Sequence, residues 1–387
     1  SLMTRNAVVI SPHPAARECC IDAANLLARV AIDAGAPDGV IQIIKDPNIP
    51  LIEEFMKSPK TAVILATGGT PMVRSAYSSS NPAIGVGPGN APVFVDSSAD
   101  IVKAANRIVE SKSFDNSVLC TNESVLITLP EVDKQLRQSL KKYGAYFCND
   151  DDTSRLRRYL FHGAGFNIET IGRDATWIAK ECGIRVPEKT AILVAPIDQI
   201  GIEEPLSREK LCPVLAYHVA KNRDQAIMQA RAVLRLTGAG HSAAVHATDE
   251  TVTMAFARAL EVYRIVVNAP CSQGAAGFGT ALAPTFTIGT GFFGRSSIGE
   301  NIGPEHLVHW TKLAYNEDTS EKFGDYFGVG NNFSGPLPSA PEDGVPGAGH
   351  YHFAPPTVSM NADPLSSITR TELRQMIAEE LRGALRG

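Results

Sequence analysis

No stretch of this chain stays apolar for the roughly 18 to 20 residues that a bilayer-spanning helix needs. Its first residues also carry no basic segment followed by an apolar one of the kind that directs secretion. These absences imply a protein that is neither secreted nor integral to a membrane. No Lys/Arg-rich run is present, and 36 basic against 41 acidic residues leave a net charge of -5. A surface for nucleic acid or anionic lipid needs a concentrated positive field, so neither partner is expected. The seven cysteines (Cys19, Cys20, Cys120, Cys148, Cys182, Cys212 and Cys271) form no Cys-x-x-Cys pair and no His/Cys cluster at metal-ligand spacing. Odd in number and scattered, they read as reduced thiols of a cytoplasmic protein without a metal. What is present is an ordinary composition, 44% hydrophobic and 20% charged over 387 residues, enough for two or three domains with an ample core.

Between residues 6 and 95, short apolar runs alternate with helical patterns. Ala7-Val8-Val9-Ile10, Val40-Ile41-Gln42-Ile43-Ile44 and Ala62-Val63-Ile64-Leu65-Ala66 read as strands, separated by helices near Ala15 to Ala34 and Pro50 to Met56. Strands separated by helices of that length predict a parallel sheet and an α/β fold. The third run ends in Thr67-Gly68-Gly69-Thr70-Pro71, where Thr70 suits a helix cap and Pro71 the first helical position. A helix N-terminus after a glycine turn seats a phosphate or dinucleotide well. The Gly-x-Gly-x-x-Gly fingerprint is absent, however, and a plain connection is the alternative. A second glycine loop, Gly85-Val86-Gly87-Pro88-Gly89-Asn90, suggests close approach of backbone or ligand.

A second α/β unit follows from Phe114, with strands near Val125–Leu129, Thr190–Val194, Val214–Val219, Ala243–His246 and Arg264–Val267. Gly335 to Pro356 reads as a flexible, partly extended linker. A helical pattern then returns, with Thr369 and Glu372 as a capping box and Leu373, Met376, Ile377, Leu381, Ala384 and Leu385 on one face. Such a helix packs on its own domain or an oligomer interface, or docks on a separate partner. The expected division is a nucleotide-cofactor domain over 1–112, a catalytic domain over 113–314, an extension and linker over 315–360, and an amphipathic helix over 361–387.

Among the cysteines, Cys120 stands apart. Phe114-Asp115-Asn116-Ser117-Val118-Leu119-Cys120-Thr121-Asn122-Glu123 ends a helix, crosses a polar turn and presents the thiol just ahead of an apolar strand. Cysteine attacks carbonyls as the thiolate, so a reactive one belongs on a partly exposed turn with donors nearby, and Asn116, Thr121 and Asn122 are candidates. A buried, inert thiol is the alternative.

From about Thr4 to Ala314 the chain resembles the CoA-acylating aldehyde dehydrogenases, which include acetaldehyde and propionaldehyde dehydrogenases of bacterial microcompartments. The resemblance rests on Asn6 to Pro14, Ala66-Thr67-Gly68-Gly69, Gly85 to Pro92, and Ser113-Phe114-Asp115-Asn116 leading to Cys120. It continues through Glu209-Lys210-Leu211-Cys212-Pro213-Val214, Gly240-His241-Ser242 and Gly299 to Pro304. Each motif is weak alone; their order and spacing are specific. The resemblance implies a Rossmann-type cofactor domain beside an α/β catalytic domain. It places Cys120 at the nucleophile position and Ser11, Pro12, Thr67, Gly68, Gly69 and Gly87 around NAD. It also puts Glu209 on the nicotinamide ribose and makes His241 a second catalytic candidate, with a structural role as the alternative. The family's N-terminal part, with a side-chain oxyanion donor, has no counterpart before Ser1, so the chain reads as lacking that part.

Hydrolytic relatives carry a glutamate in the glycine loop, where it activates water. Here the loop runs Ile84-Gly85-Val86-Gly87-Pro88. A CoA thiolate needs far less activation than water, so the missing base favours thiolysis. The expected activity is oxidation of a short-chain aldehyde, of the acetaldehyde or propionaldehyde class, to an acyl-CoA with NAD. The alternatives are hydrolysis to a carboxylic acid, or a non-catalytic cargo or scaffold subunit. The expected setting is a homo-oligomer inside a bacterial microcompartment, docked to the shell or other cargo through the terminal helix.

Overall fold

The computed structural model describes residues 1–314 except Ala164, and beyond them only 316–318, 320 and 324. The linker and terminal helix expected after residue 314 lie outside the described residues. Ser1–Thr311 forms one compact unit. None of its helices is long and apolar enough to cross a membrane.

The first part of the unit builds strands in pairs. β1 (Val8–Ile10) leads through α1 (Arg17–Asp33) to β2 (Ile41–Ile43), its parallel neighbour. After α2 (Ile49–Lys57), β3 (Ile64–Thr67) leads through α3 (Thr70–Tyr77) to β4 (Ala83–Val86), again parallel. Local order follows from local chemistry: Asn48 accepts the Leu51 N–H to start α2, and Gly69 is the residue from which α3 springs. The cap therefore sits one residue before the expected Thr70, because Thr70 already has helical geometry and Pro71 follows it in the first turn. Their alternation with helices predicts a single parallel sheet; they form two separate two-stranded ones, because each pairs only with its neighbour across one helix. Val9, Leu65, and Leu26, Leu27 and Val30 of α1 are largely exposed.

The second part is a seven-stranded sheet whose neighbouring strands all run parallel. Its strands are β5 (Ala91–Val95), β6 (Glu123–Thr128), β7 (Ala145–Phe147), β10 (Ile192–Pro196), β11 (Val214–Val219), β12 (Gly240–His246) and β13 (Val262–Val267); a short hairpin, β8 (Phe161–His162) and β9 (Gly165–Phe166), stands apart. The spatial order is β13-β12-β5-β6-β11-β10-β7. Helices α4 (Ile101–Ser113), α5 (Pro130–Lys142), α6 (Asp150–Leu160), α7 (Ala175–Glu181), α8 (Arg223–Leu236) and α9 (Glu250–Ala259) connect or cover the strands, and α10 (Cys271–Ala275) follows β13. Sheets covered on both faces need continuous apolar strands rather than alternating ones. Val93-Phe94-Val95, Val125-Leu126-Ile127 and Val214-Leu215-Ala216 are fully buried in this way. β5 and α4, which the sequence reading put in the first domain, are built into this sheet: β5 lies between β12 and β6.

Candidate active site

The loops entering β5, β6 and β11, together with the first residues of β12, all lie at the amino edge of the seven-stranded sheet. They carry Gly89, Cys120, Glu209 and His241 respectively. The nucleotide candidates lie at opposite ends of their strands: Ser11 and Pro12 follow β1, Thr67 ends β3, and Gly87 follows β4. Only four residues, Gly87-Pro88-Gly89-Asn90, separate the carboxyl end of β4 from the amino end of β5. That short connection brings the two edges together.

The turn carrying Cys120 is held by its own sequence. α4 ends at Ser113, and Asp115, Asn116 and Ser117 all adopt left-handed backbone conformations (φ 48°, 51° and 63°). Asp and Asn tolerate that region better than most residues. The Asp115 carboxylate repairs the broken ladder by accepting the N–H groups of Val118 and Leu119, both at 3.0 Å. The three side chains expected to surround the thiol are spent on main-chain carbonyls instead. Asn116 donates to Gly172 (2.9 Å), Thr121 to Ser272 (2.9 Å) and Asn122 to Phe114 (3.2 Å). They shape the turn, and the donor left at the sulfur is the Cys120 main-chain N–H.

Cys120 is partly exposed, whereas Cys148, Cys182, Cys212 and Cys271 are buried. Desolvation of its sulfur, reinforced by the Glu209 carboxylate, pushes its pKa up to about 12; its own N–H and the Arg264 guanidinium pull the other way. The resting group is thus a thiol.

Gly89 joins the nucleophile turn to Glu209. A Cβ at this position would lie 2.0 Å from the Cys120 carbonyl oxygen and 3.2 Å from Glu209 Oε1. Its N–H donates to the same Oε1 at 2.9 Å. Asn90 ties the loop further, donating to the carbonyls of Ser207 and Val233, each at 3.0 Å. Burial raises the Glu209 pKa to about 7, against the Gly89 N–H and the ammonium groups of Lys112 and Lys210. Lys112 is itself fully buried and donates to the Lys210 carbonyl at 3.3 Å. The loop bearing Glu209 is anchored by Glu204, which takes a two-pronged contact from Arg157 of α6 at 2.9 and 2.6 Å.

His241, the second residue of β12, is fully buried, with Nδ1 3.2 Å from Ser242 Oγ and, among the described residues, no partner for Nε2. Burial drives its pKa down to about 3, helped by Arg264. The imidazole is therefore neutral at any ordinary pH, and the contact expected of a structural histidine, a main-chain carbonyl, is not made.

Two further groups belong to this region. Glu123, the first residue of β6, is completely buried and accepts the Cys271 N–H at 3.0 Å, while burial raises its pKa to about 7. Arg264 lies on β13. A carboxylate starting an apolar strand and an arginine inside Val262-Tyr263-Arg264-Ile265-Val266-Val267 are both out of place in a buried parallel sheet, and that was the available signal. Around the nucleotide candidates the chain is open. Thr67, Gly68 and Gly69 are exposed, and a Cβ on Gly68 would meet no atom within 4 Å. A cavity of about 360 Å³ at the carboxyl ends of β1 and β2 is lined by Pro14, Arg17, Glu18, Asp46, Pro47 and Asn48. Among the described residues no group of three or more His, Cys, Asp or Glu is arranged to hold a metal.

A sheet with a cysteine turn at its amino edge, joined through a glycine loop to nucleotide-type strands, defines a class, and comparison with known proteins gives it a family. Residues 1–153 match the aldehyde dehydrogenase family. The aldehyde-alcohol dehydrogenase of Streptococcus pneumoniae serotype 4 is 40% identical over 323 residues, which cover 81% of this chain and 37% of that protein. The succinate-semialdehyde dehydrogenase (acetylating) of Clostridium kluyveri is 35% identical over 313 residues, 80% of this chain and 68% of that protein. The crystal structure of an acetylating aldehyde dehydrogenase from Geobacillus thermoglucosidasius superposes with a TM-score of 0.77 at 37% identity, covering 81% and 70% of the two chains. Two solved propionaldehyde dehydrogenases are similar: one from the fucose-utilisation microcompartment of Clostridium phytofermentans (31% identity, TM-score 0.70, 75% and 66% covered) and one from Rhodopseudomonas palustris with bound propionyl-CoA (32%, 0.69, 75% and 64%). The chain belongs to the CoA-acylating aldehyde dehydrogenases. It spans just over a third of the length of the aldehyde-alcohol dehydrogenases it matches.

Proposed function

We propose that the chain oxidises a short-chain aldehyde of the acetaldehyde or propionaldehyde class to an acyl-CoA with NAD, through a thioester on Cys120. The observation that carries this reading is the packing of the Cys120 carbonyl onto Gly89, whose N–H holds Glu209: nucleophile, cofactor loop and ribose-binding candidate meet at one residue. The open turn at Gly68-Gly69, at the N-terminus of α3, suits a dinucleotide phosphate, and Ser11, Pro12, Thr67, Gly68, Gly69, Gly87 and Glu209 are the residues that would hold the cofactor. NAD, when bound, accepts the hydride.

The chain's own residues do the rest. Cys120 loses its proton to solvent, and its thiolate forms a C–S bond to the aldehyde carbon. The Cys120 N–H steadies the oxyanion. Loss of hydride from that carbon leaves a thioester on Cys120. Attack by the CoA thiolate then breaks the Cys120 C–S bond, releases acyl-CoA and returns the cysteine as thiolate. His241, neutral and with Nε2 unpartnered among the described residues, is the second catalytic candidate. The absence of a carboxylate from residues 84–88 of the glycine loop favours thiolysis over hydrolysis. The R. palustris relative with propionyl-CoA bound supports CoA as the acceptor.

The test is NADH formation from propionaldehyde and NAD, with and without CoA, alongside Cys120→Ser. CoA-dependent turnover that the variant abolishes is expected. Turnover without CoA would favour hydrolysis, and turnover in the variant would remove Cys120 as nucleophile. We further infer that residues 365–387 direct the enzyme to a microcompartment shell. Their linker-plus-amphipathic-helix pattern supports this, as does the microcompartment origin of one solved relative.

A further inference from the structure

The segment from Ile288 to Asn301 folds back on itself as a strap. Its ends form an antiparallel bridge, Gly289 N–H donates to the Glu300 carbonyl at 2.9 Å, and Gly291 N–H donates to the Ile298 carbonyl at 2.8 Å. Two neighbours on β13 fix the strap to the seven-stranded sheet. The Tyr263 hydroxyl accepts the Phe292 N–H at 3.0 Å, and Arg264 donates to the carbonyls of Gly289 and Gly299, each at 3.0 Å. The strap also presses on the sheet's amino edge, since a Cβ on Gly240, the residue before His241, would collide with the Thr290 carbonyl.

Its other side is held by the strands and helix that precede the sheet. Tyr77, the last residue of α3, accepts the N–H groups of Gly85 of β4 at 2.8 Å and of Ser297 at 3.0 Å on its phenol oxygen. Ser296 Oγ lies 3.1 Å from the same oxygen and donates its own proton to the Gly85 carbonyl, so the phenol proton goes to Ser296. A single oxygen, accepting twice and donating once, therefore joins α3, β4 and the strap. The fit around it is close: a Cβ on Gly85 would lie 2.8 Å from the Tyr77 ring, and one on Gly87 would rest 3.7 Å from Thr290 Oγ1.

We propose that Tyr77 is a positioning residue that locks the cofactor-binding part to the catalytic sheet and so sets how closely the reactive end of the bound dinucleotide approaches Cys120. Helix α3 has the open Gly68-Gly69 turn at one end and Tyr77 at the other, about 12 Å away for its eight residues. The seat at that turn is built from β3 and α3 and does not need the phenol oxygen. The four residues between β4 and β5 tether the two parts, but a single tether leaves their relative angle free. The contact through Tyr77 removes that freedom. The inference rests on the proposed reading, in which the dinucleotide sits at Gly68-Gly69 and Cys120 is the nucleophile.

The test compares the full chain with Tyr77→Phe, which keeps the ring and removes the oxygen. The measurements are the Kd for NAD by calorimetry, alkylation of Cys120 by iodoacetamide with and without saturating NAD, and NADH formed from propionaldehyde in the first turnover. Tyr77→Phe should bind NAD as the parent does, and its Cys120 should be alkylated at the parent's rate when NAD is absent. Protection of Cys120 by NAD should be largely lost, and first-turnover NADH formation should slow by about tenfold or more, as misplacement by a fraction of an ångström to 1 Å entails. Protection and rate equal to the parent's would overturn the proposal. So would a lost affinity for NAD with the rate at saturation unchanged, because the oxygen would then be shaping the seat and not its distance from the thiol. Should Tyr77→Phe not fold, Ser296→Ala decides: it removes the acceptor of the phenol proton and should lose part of the NAD protection, and full protection in it would overturn the inference. NAD that binds the unaltered chain without slowing alkylation of Cys120 would instead overturn the underlying reading, an outcome visible before any substitution is made.

Discussion

At residue 89 any side chain collides with the nucleophile's own carbonyl, so the smallest substitution there has a defined consequence. Gly89→Ala puts a methyl group 2.0 Å from the Cys120 oxygen, and either the β5 entry or the nucleophile turn must shift. Because misplacement by about 1 Å costs roughly 100-fold in rate, turnover should fall by about that factor, with a modest loss of thermal stability. Steady-state kinetics of the variant measures this, and activity near that of the parent chain would mean that the packing is unimportant. The position was visible in the sequence as one of several glycines; nothing there distinguished it from Gly85, whose would-be Cβ meets Val73 and Tyr77 instead.

The element that positions Glu209 is the loop between β10 and β11. It has little regular structure and is held by point contacts. Arg157 grips Glu204, Glu204 also accepts the Leu206 N–H at 3.0 Å, and Lys210 turns back to the carbonyls of Leu206 and Arg208 at 2.6 and 2.8 Å. Arg157→Ala leaves the nearly buried Glu204 carboxylate without its cation. Denaturant unfolding should report a loss of about 2 kcal/mol, together with a raised KM for NAD as Glu209 loses its setting. An unchanged unfolding midpoint would show that Lys210 and Asn90 suffice to hold the loop. The turn after α4 is governed similarly: three successive left-handed residues are unfavourable unless the chain compensates them, and Asp115 does so with two main-chain hydrogen bonds.

For the whole molecule, the amino edge of one sheet and the carboxyl edge of the β3–β4 pair meet because β4 and β5 are four residues apart. Ligands of open α/β sheets ordinarily lie outside the carboxyl ends of the strands, and the nucleotide candidates obey that rule while the thiol does not. The proposed encounter with a shell belongs to this scale too. A fusion of residues 365–387 to a fluorescent protein should concentrate in shell-bearing bodies when shell proteins are co-expressed, and uniform fluorescence by microscopy would refute the targeting role.

The alternation of strands and helices, the parallel pairing and the apolar core strands were legible in the sequence, because a strand buried on both faces cannot hide its composition. The motif order from Asn6 to Pro304 likewise carried the family, and Cys120 was marked out by a polar turn ahead of an apolar run. Strand neighbours were another matter. That β5 lies between β12 and β6, and that β1 to β4 form two separate pairs, depends on contacts between residues far apart in the chain, for which a single sequence carries no signal. The same limit applied to the side chains. Asn116, Thr121 and Asn122 had the right chemistry to surround the sulfur, but backbone carbonyls brought close by folding took their hydrogen bonds. Ser272 of α10 lies more than 140 residues from the nucleophile turn in sequence, yet its carbonyl takes the Thr121 hydroxyl because folding brings α10 against that turn. Composition and periodicity determined what kind of sheet this is; only tertiary packing decided which charges its nucleophile meets.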